Sequence, residues 1–250
     1  MKILCVGFWK TGTKSLSKAL THLGYNVYDY EEQLVNLKTT WNKFFDGTIT
    51  DKDIYETFKD IDVLIDGPVI VFWEEIYRVF PEAKVILTIR DEDGWWKSWK
   101  NMQDDFFAGS YLLRISIMVS PTARKFLHSG VKIFGMAYGF DNSLSPFSMD
   151  WNANERLYKM KYRKHNCYVL HTVPEDKRLV HISKEGWEPI CKYLDHDVPK
   201  IPYPHQNKNA SLFKEQMAGP LFKQIIKEFK LIVAFLCVVV IVVLAWWLAK

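Results

Sequence analysis

The chain has 250 residues, an apolar fraction of 48% and a formal net charge of +4. This length suits one α/β domain with an added segment, and the apolar fraction is ordinary for a globular protein. The modest positive charge comes without basic runs interleaved with aromatics, which argues against a nucleic-acid partner. A membrane surface or a small anionic ligand accounts for the charge equally well. The four cysteines, Cys5, Cys167, Cys191 and Cys237, form no CxxC pair and no metal-binding spacing, so we expect reduced thiols and no metal.

The first half of the chain alternates predicted strands and helices. An apolar run predicts a strand over 2–6, a glycine-containing turn follows over 7–14, and leucine periodicity predicts a helix over 15–24. The further predicted strands are 25–30, 62–68 and 83–90, and the further predicted helices are 69–81 and one that begins at 91. Such alternation predicts a P-loop-type α/β fold, in which a parallel sheet is flanked by helices on both faces.

The second half has a different pattern. Residues 104–165 are apolar with scattered basic residues and predict a helical cap over the sheet, or alternatively a membrane-surface element. A long helix over 151–173 then leads to a last strand over 176–183 and a helix within 186–194. We therefore predict a catalytic domain over 1–205, a linker or juxtamembrane helix over 206–230, and a transmembrane helix over 231–249.

The segment 231–249 contains no charged residue. As a helix it spans about 28 Å, close to the roughly 30 Å hydrocarbon core of a bilayer. The alternative, a buried core helix, is disfavoured because buried helices of this length are rarely apolar all round. Lys223, Lys227 and Lys230 precede the segment, and positive charge stays on the cytoplasmic side. The N-terminal apolar run is too short for a signal peptide. We therefore expect a tail-anchored membrane protein with its body in the cytosol.

Residues 7–16 read GFWKTGTKSL, in which Gly7 and Gly12 keep the glycine spacing of a phosphate-binding loop. Thr13 stands where the Walker lysine belongs, and Lys10 and Lys14 supply cations instead. A turn of this kind between a strand and a helix points backbone N–H groups at an anion. Hydroxyls of Thr11, Thr13 and Ser15 add donors. We predict that the loop neutralises one dense anion rather than a magnesium-bound triphosphate; a merely solvated turn is the alternative.

A second set of anion-binding candidates lies further along the chain. Arg90 ends the predicted strand 83–90, and Ser98 follows eight residues later. Ligands of open α/β sheets bind outside the carboxyl ends of the strands, and an arginine there can hold a phosphate through two hydrogen bonds. A purely structural arginine is the alternative. Two such sets at one sheet edge predict a ligand with two separated anionic groups.

The run K-T-G-T-K-S at 10–15, with the R-x7-S spacing of Arg90 and Ser98, resembles the PAPS-dependent sulfotransferases. PAPS is 3′-phosphoadenosine 5′-phosphosulfate. The segments FPEAKVILTIRD, TVPEDKRLVHIS and GWEPICKYL are similar to the P-loop sulfotransferase-like branch that includes the blood-fluke enzyme activating oxamniquine. The resemblance covers about 1–204. It implies transfer of a sulfonate group from PAPS to a hydroxyl or amine of a small acceptor, without a metal.

The resemblance also implies roles for individual residues. Lys10 would stabilise the charge that develops during transfer, and Arg90 with Ser98 would hold the 3′-phosphate. Asp66, in a D-G-P sequence where many relatives carry an H-x-P histidine, would be the general base; a helix cap is its alternative. Gly186 and Trp187 would contact the nucleotide, although Trp187 could instead belong to the core. The loop residues that would hold the 5′-phosphosulfate are Lys10, Thr11, Gly12, Thr13, Lys14 and Ser15. The candidates for an apolar acceptor pocket, which could equally be core residues, are Phe72, Trp73, Phe106, Phe107 and Tyr111.

Other functions remain open at this point. A P-loop small-molecule kinase is one, although Thr13 at the lysine position counts against it. A Rossmann-type NAD-binding protein is another, because Asp29 lies at the end of the second predicted strand, but Trp9 replaces the middle glycine of its motif. A third is a non-catalytic membrane-anchored nucleotide-binding protein. The membrane anchor favours a lipophilic acceptor, and the acceptor itself is not identified by the sequence.

Overall fold

The computed structural model describes residues 1–108, 115, 118–139, 154–204 and 219–249, with the main chain alone at 105–108 and 220. Within these residues, five short strands form one sheet in the order β2-β3-β1-β4-β5, and every pair in it is parallel. The strands are β1 Ile3–Cys5, β2 Val27–Tyr28, β3 Val63–Ile65, β4 Lys84–Thr88 and β5 Arg178–His181. The predicted parallel sheet flanked by helices is therefore confirmed.

The three inner strands are almost entirely apolar because helices cover both of their faces. The helices are α1 Thr13–His22, α2 Tyr30–Asn36, α3 Lys38–Phe45, α4 Asp51–Phe58, α5 Val69–Val79, α6 Glu92–Ala108, α7 Pro121–Tyr138, α8 Glu155–Thr172, α9 Glu188–Leu194 and α10 Pro220–Leu248. Leu16 and Leu20 of α1 pack with Ile190 of α9 on one face of the sheet. Helices α3 to α8 contribute to the larger core on the other face.

Helices α2, α3 and α4 lie in a stretch for which the sequence pattern predicts no element. Each is only seven or eight residues long, so none shows a full amphipathic repeat. Two of them begin with a capping box, in which Asp29 pairs with Glu32 and Thr50 pairs with Asp53. The predicted strand over 25–30 is correspondingly shorter, because Asp29 already serves as the N-cap of α2.

The cap over the sheet consists of α7 and α8 as far as the structure describes it. Both helices pack on the larger core, where Tyr138 and Tyr158 stack at 4.2 Å between ring centroids. The C-terminal helix α10 begins within the predicted linker and continues without a break into the apolar segment. By length and composition this helix could cross a membrane, and its most apolar window has no buried residue.

Candidate functional site

The glycine-containing loop after β1 lies at the edge of the sheet where all five strands end. Helix α1, which follows this loop, packs on one face of the sheet, whereas α5 and α6, which follow the neighbouring strands β3 and β4, pack on the other. The connections that leave β1 and its two neighbouring strands therefore run to opposite faces of the sheet. Open α/β sheets bind ligands at such a switch point. Gly7 leaves no room for a side chain here, because an added Cβ would lie 1.9 Å from the Thr88 hydroxyl of β4.

Two aromatic residues fasten this loop to the larger core. Phe8 and Trp9 are 2% and 8% exposed, and the Trp9 carbonyl accepts a hydrogen bond from the Trp95 indole at 2.9 Å. The Phe8 ring stacks on His165 of α8 at 4.3 Å, and His165 Nε2–H donates to the Val6 carbonyl at 2.6 Å. Burial lowers the pKa of His165 to about 4, so its imidazole is neutral at physiological pH. Aromatic packing and these two hydrogen bonds therefore fix the conformation of the loop.

The loop delivers the N-terminus of α1 to the sheet edge. The N-cap residue is Gly12, with φ 108° and no side chain to occupy the first N–H groups, and the first turn holds no acidic residue. An added Cβ on Gly12 would lie 1.7 Å from Ser183 Oγ, which itself donates to the Thr11 carbonyl at 3.2 Å. The Thr11 and Thr88 hydroxyls are 2.6 Å apart. The ends of β1, β4 and β5 are therefore joined around a helix N-terminus suited to an anion.

The candidate base Asp66 lies directly after β3, beside this loop. It is 5% exposed and has a left-handed backbone with φ 75°. One carboxylate oxygen accepts the Gly67 N–H at 2.7 Å, and the other accepts the Thr13 hydroxyl at 3.0 Å. Burial raises the pKa of Asp66 above its ordinary value, Lys14 opposes this rise, and Asp29 adds to it. The alternative function as a helix cap is not realised, because the N-cap residue of α5 is Pro68.

Lys14 lies near two carboxylates, those of Asp29 and Asp66. Its Nζ is 2.6 Å from Asp29 Oδ1. Although burial opposes it, the nearby carboxylates of Asp66 and Asp29 raise the pKa of Lys14. Asp29 also caps α2, so it is fixed at the end of β2. The bond to Asp29 uses one of the three N–H donors of Lys14, and a contact with a phosphate remains a prediction.

Arg90 and Ser98 lie near the loop on the β4 side. Arg90 directly follows β4, and its guanidinium is 45% exposed with a loose 3.9 Å contact to Asp91. Its main chain is fixed by Tyr162 of α8, whose hydroxyl accepts the Arg90 N–H and donates to the Arg90 carbonyl, both at 2.9 Å. Ser98 is half-buried on α6, the helix that Trp95 ties to the loop. The structure thus holds the Arg90 main chain and leaves its cation exposed to solvent.

Gly186 and Trp187 lie past the end of β5. Gly186 has φ 74°, and Trp187 is the N-cap residue of α9. The Trp187 side chain is 6% exposed and packs on Tyr203 at 5.3 Å, while its indole N–H donates to the Ile201 carbonyl at 2.9 Å. This packing favours the core alternative for the indole. A nucleotide contact at these two residues remains a prediction.

The aromatic candidates for an acceptor pocket fall into two groups, those that belong to the core and those whose side chains lie outside the described part of the chain. Phe72 packs on Phe44 at 4.8 Å, and Trp73 is 3% exposed, so both belong to the core around α3 and α5. Tyr111 lies outside the described residues, and so do the side chains of Phe106 and Phe107.

A different set of side chains surrounds Asp66. Burial, with Asp66 as a further cause, raises the pKa of Tyr30, whose ring meets Phe126 of α7 edge-on at 5.7 Å. An added Cβ on Gly67 would lie 2.9 Å from the Trp9 ring and 3.4 Å from Ile133 of α7. Helix α7 therefore covers the side of the site that carries Asp66. No sequence pattern indicates these neighbours, because Trp9, Tyr30 and the α7 residues are far apart in the chain.

Among the described residues, no group of three or more histidine, cysteine, aspartate or glutamate side chains is placed to hold a metal ion. The site instead consists of a helix N-terminus, cations at Lys10 and Arg90, several hydroxyls and one buried carboxylate. Lys10 is half-buried within the loop and has φ 67°. Such a donor set can bind an anionic group while a neighbouring carboxylate accepts a proton.

Comparison with known proteins identifies the family. A family model described as a sulfotransferase domain matches residues 2–212. The Ava biosynthesis cluster protein M of Aspergillus versicolor is 30% identical over 216 residues, which cover 82% of this chain and 80% of that protein. A solved sulfotransferase from Alicyclobacillus acidocaldarius aligns with a TM-score of 0.46 and 16% identity over 93% of this chain and 95% of that one. Because the family model spans most of the chain, the protein belongs to the sulfotransferase family.

Proposed function

We propose that this sulfotransferase takes its sulfonate group from PAPS and transfers it to a hydroxyl or amine of a small lipophilic acceptor. We further propose that a C-terminal anchor holds it on a membrane with the catalytic domain in the cytosol. The observation that carries the proposal is the meeting of an uncapped helix N-terminus and a buried, hydrogen-bonded carboxylate at one sheet edge. The helix N-terminus suits the anionic groups of the donor, and the carboxylate suits removal of a proton from the acceptor.

The donor side of the site fits a compact phosphosulfate. When bound, PAPS supplies a sulfonate on a single 5′-phosphate. The first N–H groups of α1 and the Lys10 cation would stabilise the negative charge that builds on the phosphate oxygens as the sulfonate leaves. Thr11 is not available as a hydroxyl donor in the same way, because its hydroxyl contacts Phe8 and Thr88 inside the loop. Its contribution would be to hold the loop in shape.

Thr13 and Lys14 connect the donor side to the acceptor side. The Thr13 hydroxyl donates to Asp66, and Lys14 pairs with Asp29, which caps α2. Lys14 therefore partly balances the two carboxylates, and this lowers the cost of an ionised Asp66 beside an anion-binding loop. The role of Lys14 and Ser15 as direct phosphate contacts remains part of the proposal.

Asp66 would act as the general base. An ordinary aspartate is a weak base, but burial raises the pKa of Asp66 and brings it closer to the working pH. Its two hydrogen bonds fix the carboxylate, so its remaining lone pairs have a defined direction. For an alcohol or phenol, Asp66 would take the hydroxyl proton as the oxygen bonds to sulfur and the sulfur–oxygen bond to the 5′-phosphate breaks.

The acceptor class rests on the surroundings of Asp66 and on the C-terminal helix. Tyr30, Phe126 and Trp9 place aromatic surface around the base, and this surface favours an apolar acceptor. The name of the Aspergillus relative assigns it to a biosynthesis cluster, which supports a small-molecule acceptor here. A helix long and apolar enough to span a membrane supports an acceptor that partitions into lipid.

Nucleotide binding by the full chain in detergent micelles tests the donor. Calorimetry would compare 3′,5′-ADP, 5′-AMP, Mg-ATP and NAD. We expect tight binding of 3′,5′-ADP that is lost with 5′-AMP. Replacing Arg90 by alanine should weaken 3′,5′-ADP binding by about 10- to 100-fold, as expected when a charged hydrogen bond worth roughly 1.5–3 kcal/mol is lost.

The matched control is Arg78→Ala, because Arg78 is also exposed but ends α5 and pairs with Asp51. Its 3′,5′-ADP affinity should equal that of the wild type. Preference for Mg-ATP would favour a kinase, and preference for NAD would favour a dinucleotide-binding protein. Absence of any nucleotide binding would favour a non-catalytic protein.

A further inference from the structure

The first turns of the C-terminal helix α10 are docked on the N-terminal end of the cap helix α7. Ile225 is 5% exposed and packs in one small apolar cluster with Ala123, to which Leu127 and Leu221 contribute. Phe222 of α10 also meets Phe126 of α7, with 6.3 Å between ring centroids. The catalytic domain is therefore in direct contact with the helix that leads into the apolar segment.

A partly buried polar contact reinforces this docking. The Glu228 carboxylate of α10 accepts hydrogen bonds from the Ser120 hydroxyl at 2.5 Å, the Thr122 N–H at 3.1 Å and the Thr122 hydroxyl at 2.5 Å. Ser120 is the N-cap residue of α7 and is fully buried. A carboxylate at a helix N-terminus is stabilised by the helix dipole. This contact, which we call the Glu228 latch, fixes the angle between the cap and α10.

The latch also fixes how far the cap lies from the bilayer. Glu228 precedes Leu231, the first residue of the uncharged segment, by three positions. A helix rises about 1.5 Å per residue, so the latch lies about 4.5 Å from that segment along the helix axis. Each headgroup layer of a bilayer is about 5–8 Å thick. The start of α7 consequently lies at headgroup depth if α10 spans the membrane.

The charged residues of 118–128 and 219–230, two ranges that the structure describes, are almost all positive. Lys223, Lys227 and Lys230 are exposed and follow an i, i+4, i+7 spacing, which places them on the face of α10 turned away from α7. Arg124 and Lys125, exposed on the first turn of α7, add cations on the other side. Glu228 is the one acidic residue in these two described ranges, and its carboxylate accepts the hydrogen bonds of the latch. Lysines before a span are usual for an anchor, whereas the cations on α7 belong to the catalytic domain.

We propose that a juxtamembrane surface formed by Met118, Arg124, Lys125, Lys223, Lys227 and Lys230 seats on the headgroups of an anionic phospholipid bilayer. Met118, which precedes α7, is 41% exposed and offers an apolar contact beside Arg124, whose guanidinium donates to the Met118 carbonyl. The inference rests on the membrane anchorage in the proposed function. Its consequence is a fixed orientation, in which Phe126 and its neighbour Tyr30 turn the Asp66 side of the site toward the lipid.

The test places a fluorophore on the surface of the full chain in vesicles. Cys167 and Cys237 are exposed and would first be replaced by Ser and Ala, whereas Cys5 and Cys191 are buried and can stay. The fluorophore is attached to Met118→Cys or to the control Val198→Cys. Val198 is an apolar residue, 52% exposed, that follows α9 on the opposite face of the sheet. Vesicles contain phosphatidylcholine alone or with phosphatidylserine, plus a lipid with a nitroxide at the headgroup.

We expect severalfold stronger quenching at position 118 than at 198, and stronger quenching at 118 with phosphatidylserine than without it. High salt should remove this lipid dependence. Glu228→Gln should reduce quenching at 118, because it removes the negative charge that strengthens these hydrogen bonds and that the N-terminus of α7 stabilises. Equal quenching at the two positions, no effect of phosphatidylserine, or a chain that does not float with vesicles would each overturn the inference.

The affinity for 3′,5′-ADP is measured in the same samples. Quenching at 118 without nucleotide binding would support the surface and overturn the proposed donor. Nucleotide binding without quenching at 118 would overturn the surface and leave the proposed donor in place. Retained nucleotide binding in Glu228→Gln would show that this variant is folded.

Discussion

The Asp66→Asn variant separates the proposed chemistry from folding. In the structure, one Asp66 oxygen accepts the Gly67 N–H at 2.7 Å and the other accepts the Thr13 hydroxyl at 3.0 Å. An asparagine can keep the first bond with its carbonyl oxygen and can donate its NH2 to the Thr13 hydroxyl, which rotates to accept. Asparagine also tolerates a left-handed backbone such as the φ 75° found here. Folding should therefore change little.

Catalysis should change strongly. A positioned general base contributes about 10²- to 10⁴-fold to rate, so turnover should fall by about that factor. The affinity for 3′,5′-ADP should stay equal or rise, because the variant removes a negative charge near Lys14 and the loop. A base acts only when it is deprotonated. Since burial raises the pKa of Asp66, wild-type turnover should fall as the pH drops through that raised pKa, and the residual turnover of the variant should lack this fall.

The assay follows release of 3′,5′-ADP from PAPS with a panel of phenols and alcohols, on the full chain in detergent micelles. The control is Asp62→Asn, because Asp62 precedes β3 at its other end and pairs with Lys2. This control should retain wild-type turnover. Wild-type turnover in Asp66→Asn would remove Asp66 from the mechanism. Loss of both turnover and 3′,5′-ADP binding would instead show that the carboxylate mainly holds the loop.

Two further predictions concern the residues that shape the loop. Gly12→Ala should lower the melting temperature and weaken 3′,5′-ADP binding, because a left-handed alanine costs about 1–2 kcal/mol and its Cβ would lie 1.7 Å from Ser183 Oγ. In a Ser183→Ala background, Gly12→Ala should lower the melting temperature by less. An equal decrease in both backgrounds would contradict a steric overlap between the added Cβ and Ser183 Oγ. Burial lowers the pKa of His165 from 6.5 to about 4, so the unfolded chain binds a proton that the native chain does not between these values. The free energy of unfolding should therefore fall as the pH drops from 6.5 to 4. His165→Gln keeps an N–H donor for the Val6 carbonyl, and its melting temperature should depend less on pH over this range. Parallel curves of melting temperature against pH for the two proteins would contradict this.

The sequence predicted the sheet and the loop well because both depend on local patterns. Apolar runs of a few residues indicate the inner strands, and the turn with Gly7 and Gly12 stands directly between β1 and α1. The parallel arrangement follows from the alternation of strands and helices. Helices α2 and α4 were missed although their N-termini carry capping-box residues, at Asp29 with Glu32 and at Thr50 with Asp53. Those signals were available but each helix is too short for a clear periodicity.

The sequence by itself thus determined the fold class and the apolar C-terminal segment, and it predicted an anion-binding loop and the base Asp66, because each of these depends on residues that are close together in the chain. Only the tertiary structure decided which side chains support them. His165 lies 159 residues from the Val6 carbonyl that it contacts, and Glu228 lies 108 residues from Ser120. The pairing of Lys14 with Asp29, 15 residues away, was likewise not evident from the sequence. Such contacts depend on how helices pack across the sheet. Packing brings distant residues together, and no local sequence pattern predicts which residues will meet.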